Sequence, residues 1–131
     1  MPTRREARER ALSLCYELDV RGGSAEDLLA ELPVAPDPYA VELCRGVEEH
    51  RSEIDALMGK FSERWSVERM PVVDRNLLRI ATYELAHRPE IPTAVAISEA
   101  VELAKRYSTD GSGRFVNGLL GRLAEAVRPK R

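Results

Sequence analysis

Residues 72 to 87 read VVDRNLLRIATYELAH, and the spacing of their apolar side chains decides the fold class. Stepped at helical periodicity, Val73, Leu77, Leu78, Ile80, Ala81 and Leu85 share one broad arc, while Arg75, Asn76, Arg79, Thr82 and His87 fall opposite. An arc that wide predicts a central helix packed by several neighbours. Pro71 stands where a missing N–H costs nothing, Asp74 lies in the first turn where the helix dipole favours an acid, and Pro89 and Pro92 prevent continuation. Glu84 projects from inside the apolar arc. A carboxylate buried alone is strongly unfavourable, so Glu84 is expected to meet a cation or hydrogen-bond donor from another helix, as a structural ion-pair member rather than a catalytic acid.

Outward from this helix, the composition is helical throughout. The chain has 131 residues, 5% aromatic, with Ala, Leu, Glu and Arg abundant, which predicts one all-α domain over residues 1–131 that buries about two-thirds of its unfolded surface. No apolar run approaches the roughly 20 residues of a membrane span, and MPTRREARER lacks the apolar core of a signal peptide, so a cytoplasmic protein with no membrane partner is expected. Cys15 and Cys44 sit at apolar helical positions without CxxC spacing and read as buried thiols.

The net charge of −2 hides an uneven distribution. Glu26 to Glu63 holds ten acids against three Lys or Arg, whereas Lys105 to Arg131 holds seven Lys or Arg against Asp110 and Glu125. Arg4, Arg5, Arg8 and Arg10 add cations at the other end, beside Glu6 and Glu9. If the two ends meet, they form a basic patch on an acidic protein.

A first helix is predicted from about Arg4 to Asp19, with Ala7, Ala11, Leu14, Cys15 and Leu18 as its core stripe and Arg5, Arg8, Leu12 and Tyr16 as the adjoining flank. Such a flank suits single-stranded RNA, with guanidinium groups on phosphates and a ring for stacking, and it equally suits a solvated face with Tyr16 at the core edge. Helix geometry alone favours the second. Gly22 and Gly23 end this helix, Ser24 caps a short one to Leu32, and PVAPDP at 33 to 38 is a rigid connector whose Asp37 and Pro38 open the next. Val41, Leu43, Cys44 and Val47 point inward from that helix, and Ser52 restarts the chain for Ile54, Leu57, Met58 and Phe61. Trp65 is expected to anchor the core.

Thr93 to Tyr107 reads as a helix with Ala96, Ile97, Ala100, Val101, Leu103, Ala104 and Tyr107 inside and Glu102 paired with Arg106 outside. The loop STDGSGR, 108 to 114, lacks the lysine and spacing of a phosphate-binding loop; Ser112 reads as a cap for the last helix, FVNGLLGRLAEAV. Phe115 and Arg122 lie at the edge of its core arc. Neither His50 nor His87 has sequence neighbours resembling a zinc site, both read as surface residues, and no nucleophile and base can be matched; no catalytic residue, metal or cofactor is expected.

Taken together, RREARERALSLCY at 4 to 16, DRNLLRIATYEL at 74 to 85, VAISEAVELAKRYS at 95 to 108 and RFVNGLL at 114 to 120 resemble the bacterial transcription antitermination factor NusB family over nearly the whole chain. The resemblance implies about seven helices in two small bundles packed across each other. It implies binding of the single-stranded boxA element of nascent ribosomal RNA together with NusE, a small-subunit ribosomal protein, and so an indirect link to the RNA polymerase elongation complex. Carried over by motif position, the RNA residues are Arg4, Arg5, Arg8, Tyr16, Arg114 and Phe115, which turns the balance at the first helix toward RNA; Asp74 is the NusE contact. Glu6 interrupts a basic run that is longer in some relatives, and Gly111 stands where relatives often carry an acid. Two rivals remain: a helical protein-interaction module, and the accessory domain of RNA cytosine methyltransferases, against which the absence of a methyltransferase segment before Arg131 weighs. Monomer and homodimer both stay open.

Overall fold

The computed structural model describes residues 2–129. Seven α-helices and one 3-10 turn make up its regular structure: α1 (Arg4–Arg21), α2 (Ala25–Glu31), α3 (Pro38–Glu49), α4 (Arg51–Phe61), the 3-10 turn Val67–Arg69, α5 (Val72–His87), α6 (Thr93–Tyr107) and α7 (Ser112–Val127). The all-α expectation holds, with no strand among the described residues. Helices α1 to α3 pack as one group and α4 to α7 as another, with α5 touching α1 and α3 across the divide. A large core follows α5, and a smaller one gathers Leu14, Ala25, Leu28 and Cys44 beneath α2.

Local chemistry accounts for the helix ends. Thr3 and Glu6 form a capping box, the Thr3 hydroxyl accepting the Glu6 N–H and the Glu6 carboxylate accepting the Thr3 N–H, both at 3.0 Å. Glu6 therefore starts α1 rather than merely interrupting its basic run. Gly22, at φ +81°, turns the chain out of α1. Ser24 caps α2 and Asp37 caps α3 ahead of Pro38, as expected. The α3 to α4 break falls at His50, so α4 restarts before Ser52. At the other end Ser112 is the first residue of α7 rather than its cap: Gly111, at φ +86°, makes the turn and starts the helix three residues earlier than the sequence suggested.

The central helix is more enclosed than its periodicity implied. Asn76, Arg79 and Thr82, opposite the apolar arc, are buried as well. Arg79 and Asn76 are tolerated because Arg79 forks onto Asp55 at 2.8 and 3.0 Å and reaches Asp19 at 3.2 Å, while Asn76 donates to Asp19 at 2.9 Å. Two acids from α1 and α4 thus neutralise a polar seam along α5. Cys15 and Cys44 are free and buried, and the hydrogen bond that the Cys15 thiol donates to Cys44, together with burial, pushes the Cys15 thiol up.

Candidate nucleic-acid interface

The start of α1 is exposed and cationic. Arg4 lays its guanidinium 3.7 Å from the centroid of the buried Tyr39 ring, a cation–π contact that steadies an otherwise free side chain. Arg5 forks onto Glu99 of α6 at 2.6 and 3.1 Å with its side chain still 47% exposed. The Arg5 hydrogen bonds hold the Glu99 carboxyl below its ordinary value. Solvent screens an ion pair whose arginine is this exposed, so a phosphate can compete for Arg5.

Arg8 does not extend this exposed row. Only 4% of it is accessible, and its Nε donates to both carboxylate oxygens of Glu84 at 3.1 Å, while a terminal nitrogen lies 2.9 Å from Oε2 and another 3.7 Å from Glu99. The Tyr39 hydroxyl also donates to Glu84. Glu84 thus finds the interhelical partner its place in the arc demanded, and the partner is a residue expected on the RNA flank. The correction has a simple cause: α5 and α6 close over the middle of the flank, burying Arg8 and Leu12 and leaving its two ends outside.

Tyr16, at the far end, is 43% exposed. It borders a groove shared with Glu9, Leu12, Ser13, Val73 and Tyr107. Tyr107, assigned from periodicity to the buried arc of α6, is instead 47% exposed and donates to Glu9 at 2.9 Å. Arg106 also turns to Glu9, at 3.2 Å, rather than pairing along its own helix with Glu102. Asp74, expected to face a protein partner, is fully buried; it accepts from Ser108, which accepts from Ser112 at 3.1 Å, so it fastens the α6 to α7 loop onto α5.

Helices α1 and α7 do not make a broad mutual contact, and α6 lies between them, tied to α1 by ion pairs and packed along α7. The exposed Arg114 borders a shallow surface with Lys105 and Asn117, and Lys105 is a cation the sequence reading did not single out. Phe115 is half-buried, edge-on to Trp65 at 4.9 Å between centroids, which places Trp65 at the rim of the core rather than its centre. The C-terminal cations are fewer in practice than in sequence. Arg122 donates to the Phe61 carbonyl and pairs with Glu63, and Arg128 donates to the carbonyls of Glu84 and Leu85 at the end of α5 and of Arg88 and Ile91 in the turn after it. Lys130 and Arg131 lie outside the described residues.

This arrangement offers binding chemistry: cations on α1, α6 and α7 around exposed rings. A model of the NusB family matches residues 5–125. The chain belongs to the NusB family. It is 52% identical over 132 aligned positions to the transcription antitermination protein NusB of Salinispora tropica, covering 95% of this chain and 97% of that one. The corresponding protein of Kineococcus radiotolerans is 47% identical, with 95% of each covered. Among solved structures, NusB of T. maritima superposes with a TM-score of 0.86 at 42% identity, covering 98% of this chain and 94% of that chain. A crystal structure of antitermination factors NusB and NusE in complex with dsRNA contains a chain matching at a TM-score of 0.80 and 28% identity, covering 94% and 96%. This NusB protein is a transcription antitermination factor, in a family that works by binding rather than catalysis. No helix among the described residues is long and apolar enough to cross a membrane.

Proposed function

We propose that this NusB protein acts as one cytoplasmic RNA-binding unit that holds the boxA element of nascent ribosomal RNA jointly with NusE, and through NusE reaches the elongating polymerase. The observation that carries the RNA half is the exposed cation set Arg4, Arg5 and Arg114, with Lys105 beside the start of α7. Cations at these points bind phosphates without reading sequence, so discrimination must come from ring stacking and base-edge contacts. Phe115 can stack only with the part of its ring not covered by Trp65. Arg8 acts as a positioning residue, holding α1 so that Arg4 and Arg5 stay at the rim.

Tyr16 has a second reading, favoured by its surroundings. Its neighbours Leu12, Val73 and Tyr107 are apolar or aromatic and Glu9 is acidic, a combination suited to a basic protein such as NusE. Asp74 then contributes by fixing the loop beside Tyr107 rather than by touching the partner. Titrating wild type, Tyr16→Ala and Arg4→Ala/Arg5→Ala with NusE and with boxA RNA separately tests both halves. Loss of NusE binding only in Tyr16→Ala assigns the groove to protein; loss of RNA binding in Tyr16→Ala returns its ring to the RNA surface. Light scattering on the free protein distinguishes monomer from homodimer.

A further inference from the structure

We propose that His50, Glu53 and His87 form a binding site for one divalent transition-metal ion, of the zinc class, away from the RNA surface. His50 occupies the break between α3 and α4, Glu53 lies three residues on in the first turn of α4 and so shares its face, and His87 is the last residue of α5. Packing of α4 on α5 brings together two histidines 37 positions apart (87 − 50).

The Glu53 carboxylate bridges the nitrogen edges of the two stacked rings, Oε1 3.1 Å from His87 Nε2 and Oε2 3.6 Å from His50 Nδ1. One ligand atom from each residue falls within 4.8 Å of the other two. Ligands bound tetrahedrally at about 2.0 to 2.1 Å stand about 3.4 Å apart, so the three ligand atoms must draw somewhat closer around one ion. The imidazole rings stack at 3.9 Å with a 24° tilt, so one ring must turn out of the stack for both nitrogens to face a single ion.

Two imidazoles and a carboxylate are borderline ligands suited to zinc and its neighbours rather than to magnesium or calcium. The surroundings favour a cation. Nearby Arg51 pairs with Asp55, and Arg88 is shared by Glu42 and Glu90, which leaves Glu53 facing only the two histidines among its resolved ion-pair partners. Tyr83 stacks on His87 at 5.6 Å and is steadied by its hydroxyl bond to Glu42 at 3.1 Å, giving the site a fixed wall. The side chains of His50 and His87 are about 30% and 29% exposed, enough for a metal to enter and keep a water as fourth ligand. A bound ion would clamp the α3 to α4 corner onto the end of α5, joining the two helical groups.

The test uses the full chain without a histidine tag, titrated with Co²⁺ and then Zn²⁺ while visible absorption, calorimetric heat and the imidazole proton resonances are followed. The expected result is one ion per chain, d–d bands that Zn²⁺ displaces, and shifts of the imidazole signals of both histidines of the chain. His50→Ala, His87→Ala and Glu53→Gln, checked for native helicity by circular dichroism, should each weaken binding roughly 10- to 100-fold or more, since even outer-shell changes at metal sites reach that range. Absence of bands, heat and imidazole shifts in the wild-type protein overturns the site without reference to any variant. Undiminished binding in a folded His50→Ala/His87→Ala chain overturns it equally.

Discussion

Arg8 and Glu84 meet 76 positions apart in sequence, with the Arg8 Nε equidistant at 3.1 Å from both carboxylate oxygens and both side chains sealed from water. The pair joins α1 to α5, and the second contact of Arg8 to Glu99 brings in α6. Removing one member strands a charge in a low-dielectric interior. Glu84→Leu or Arg8→Ala should each cost about 3 to 5 kcal/mol in urea unfolding, whereas Arg8→Met combined with Glu84→Leu should recover much of that loss. Equal costs for the single and double variants would show that the ion pair is not what couples these positions.

Gly46 of α3 faces the Tyr83 ring so closely that an added Cβ would overlap three of its atoms. Tyr83 cannot easily swing aside, because its hydroxyl is bound to Glu42 and its ring stacks on His87. Gly46→Ala should therefore destabilise by about 1 to 3 kcal/mol despite its gain in helix propensity, and Tyr83→Leu in the same chain should relieve part of that loss. Thermal unfolding of the two variants checks the coupling.

Arg128 satisfies four carbonyls at the end of α5 and in the turn that follows, and also donates to the Thr93 hydroxyl at 3.1 Å. A planar fork with five donors can do this and an ammonium group cannot. Arg128→Ala should lower stability by about 2 to 3 kcal/mol, and Arg128→Lys should restore only a minor part. Hydrogen exchange should show the added opening concentrated at the last turn of α5.

Acid should weaken the fold through Asp19 and Glu99. Burial pushes the Asp19 carboxyl up, but Arg75, Asn76 and Arg79 outweigh it and leave it below its ordinary value of 3.8; Arg5 does the same for Glu99. A lowered native value means that the unfolded chain binds protons first as pH falls. The contribution is complete above the ordinary carboxylate range and is lost as pH drops through the lowered values. Unfolding free energy should thus decline below about pH 5, and Asp19→Asn should make that decline shallower.

Much of the fold could be read from one dimension because it depends on local signals. The proline pair Pro71 and Pro89 delimits α5, Asp37 and Pro38 start α3, and apolar spacing finds the buried faces. Periodicity failed where burial is set by enclosure. Arg79 and Asn76 look solvated until Asp19 and Asp55 arrive from other helices, and Tyr107 looks buried until the end of α6 is seen to stand at a groove. At the site, Arg8 and Arg5 occupy the same flank three residues apart, yet one is sealed and the other half-free. The deciding fact is the position of Glu84, whose misplaced carboxylate was the one visible hint. The histidine cluster left no local pattern at all, since His87 joins it only through the packing of α4 on α5.

The most direct test of the cation surface is the salt dependence of boxA RNA binding by the NusB and NusE proteins together, with a scrambled RNA of equal length as reference. Each phosphate contact removed should lower the magnitude of the slope of log K against log salt by about 0.7 for a single strand. Arg4→Ala/Arg5→Ala and Arg114→Ala should flatten the slope on both RNAs, while folded Arg8→Met/Glu84→Leu should keep the wild-type slope. An unchanged slope in the first two variants, or a flattened one in the third, would contradict the assignment of Arg4, Arg5 and Arg114 to phosphate and of Arg8 to the core.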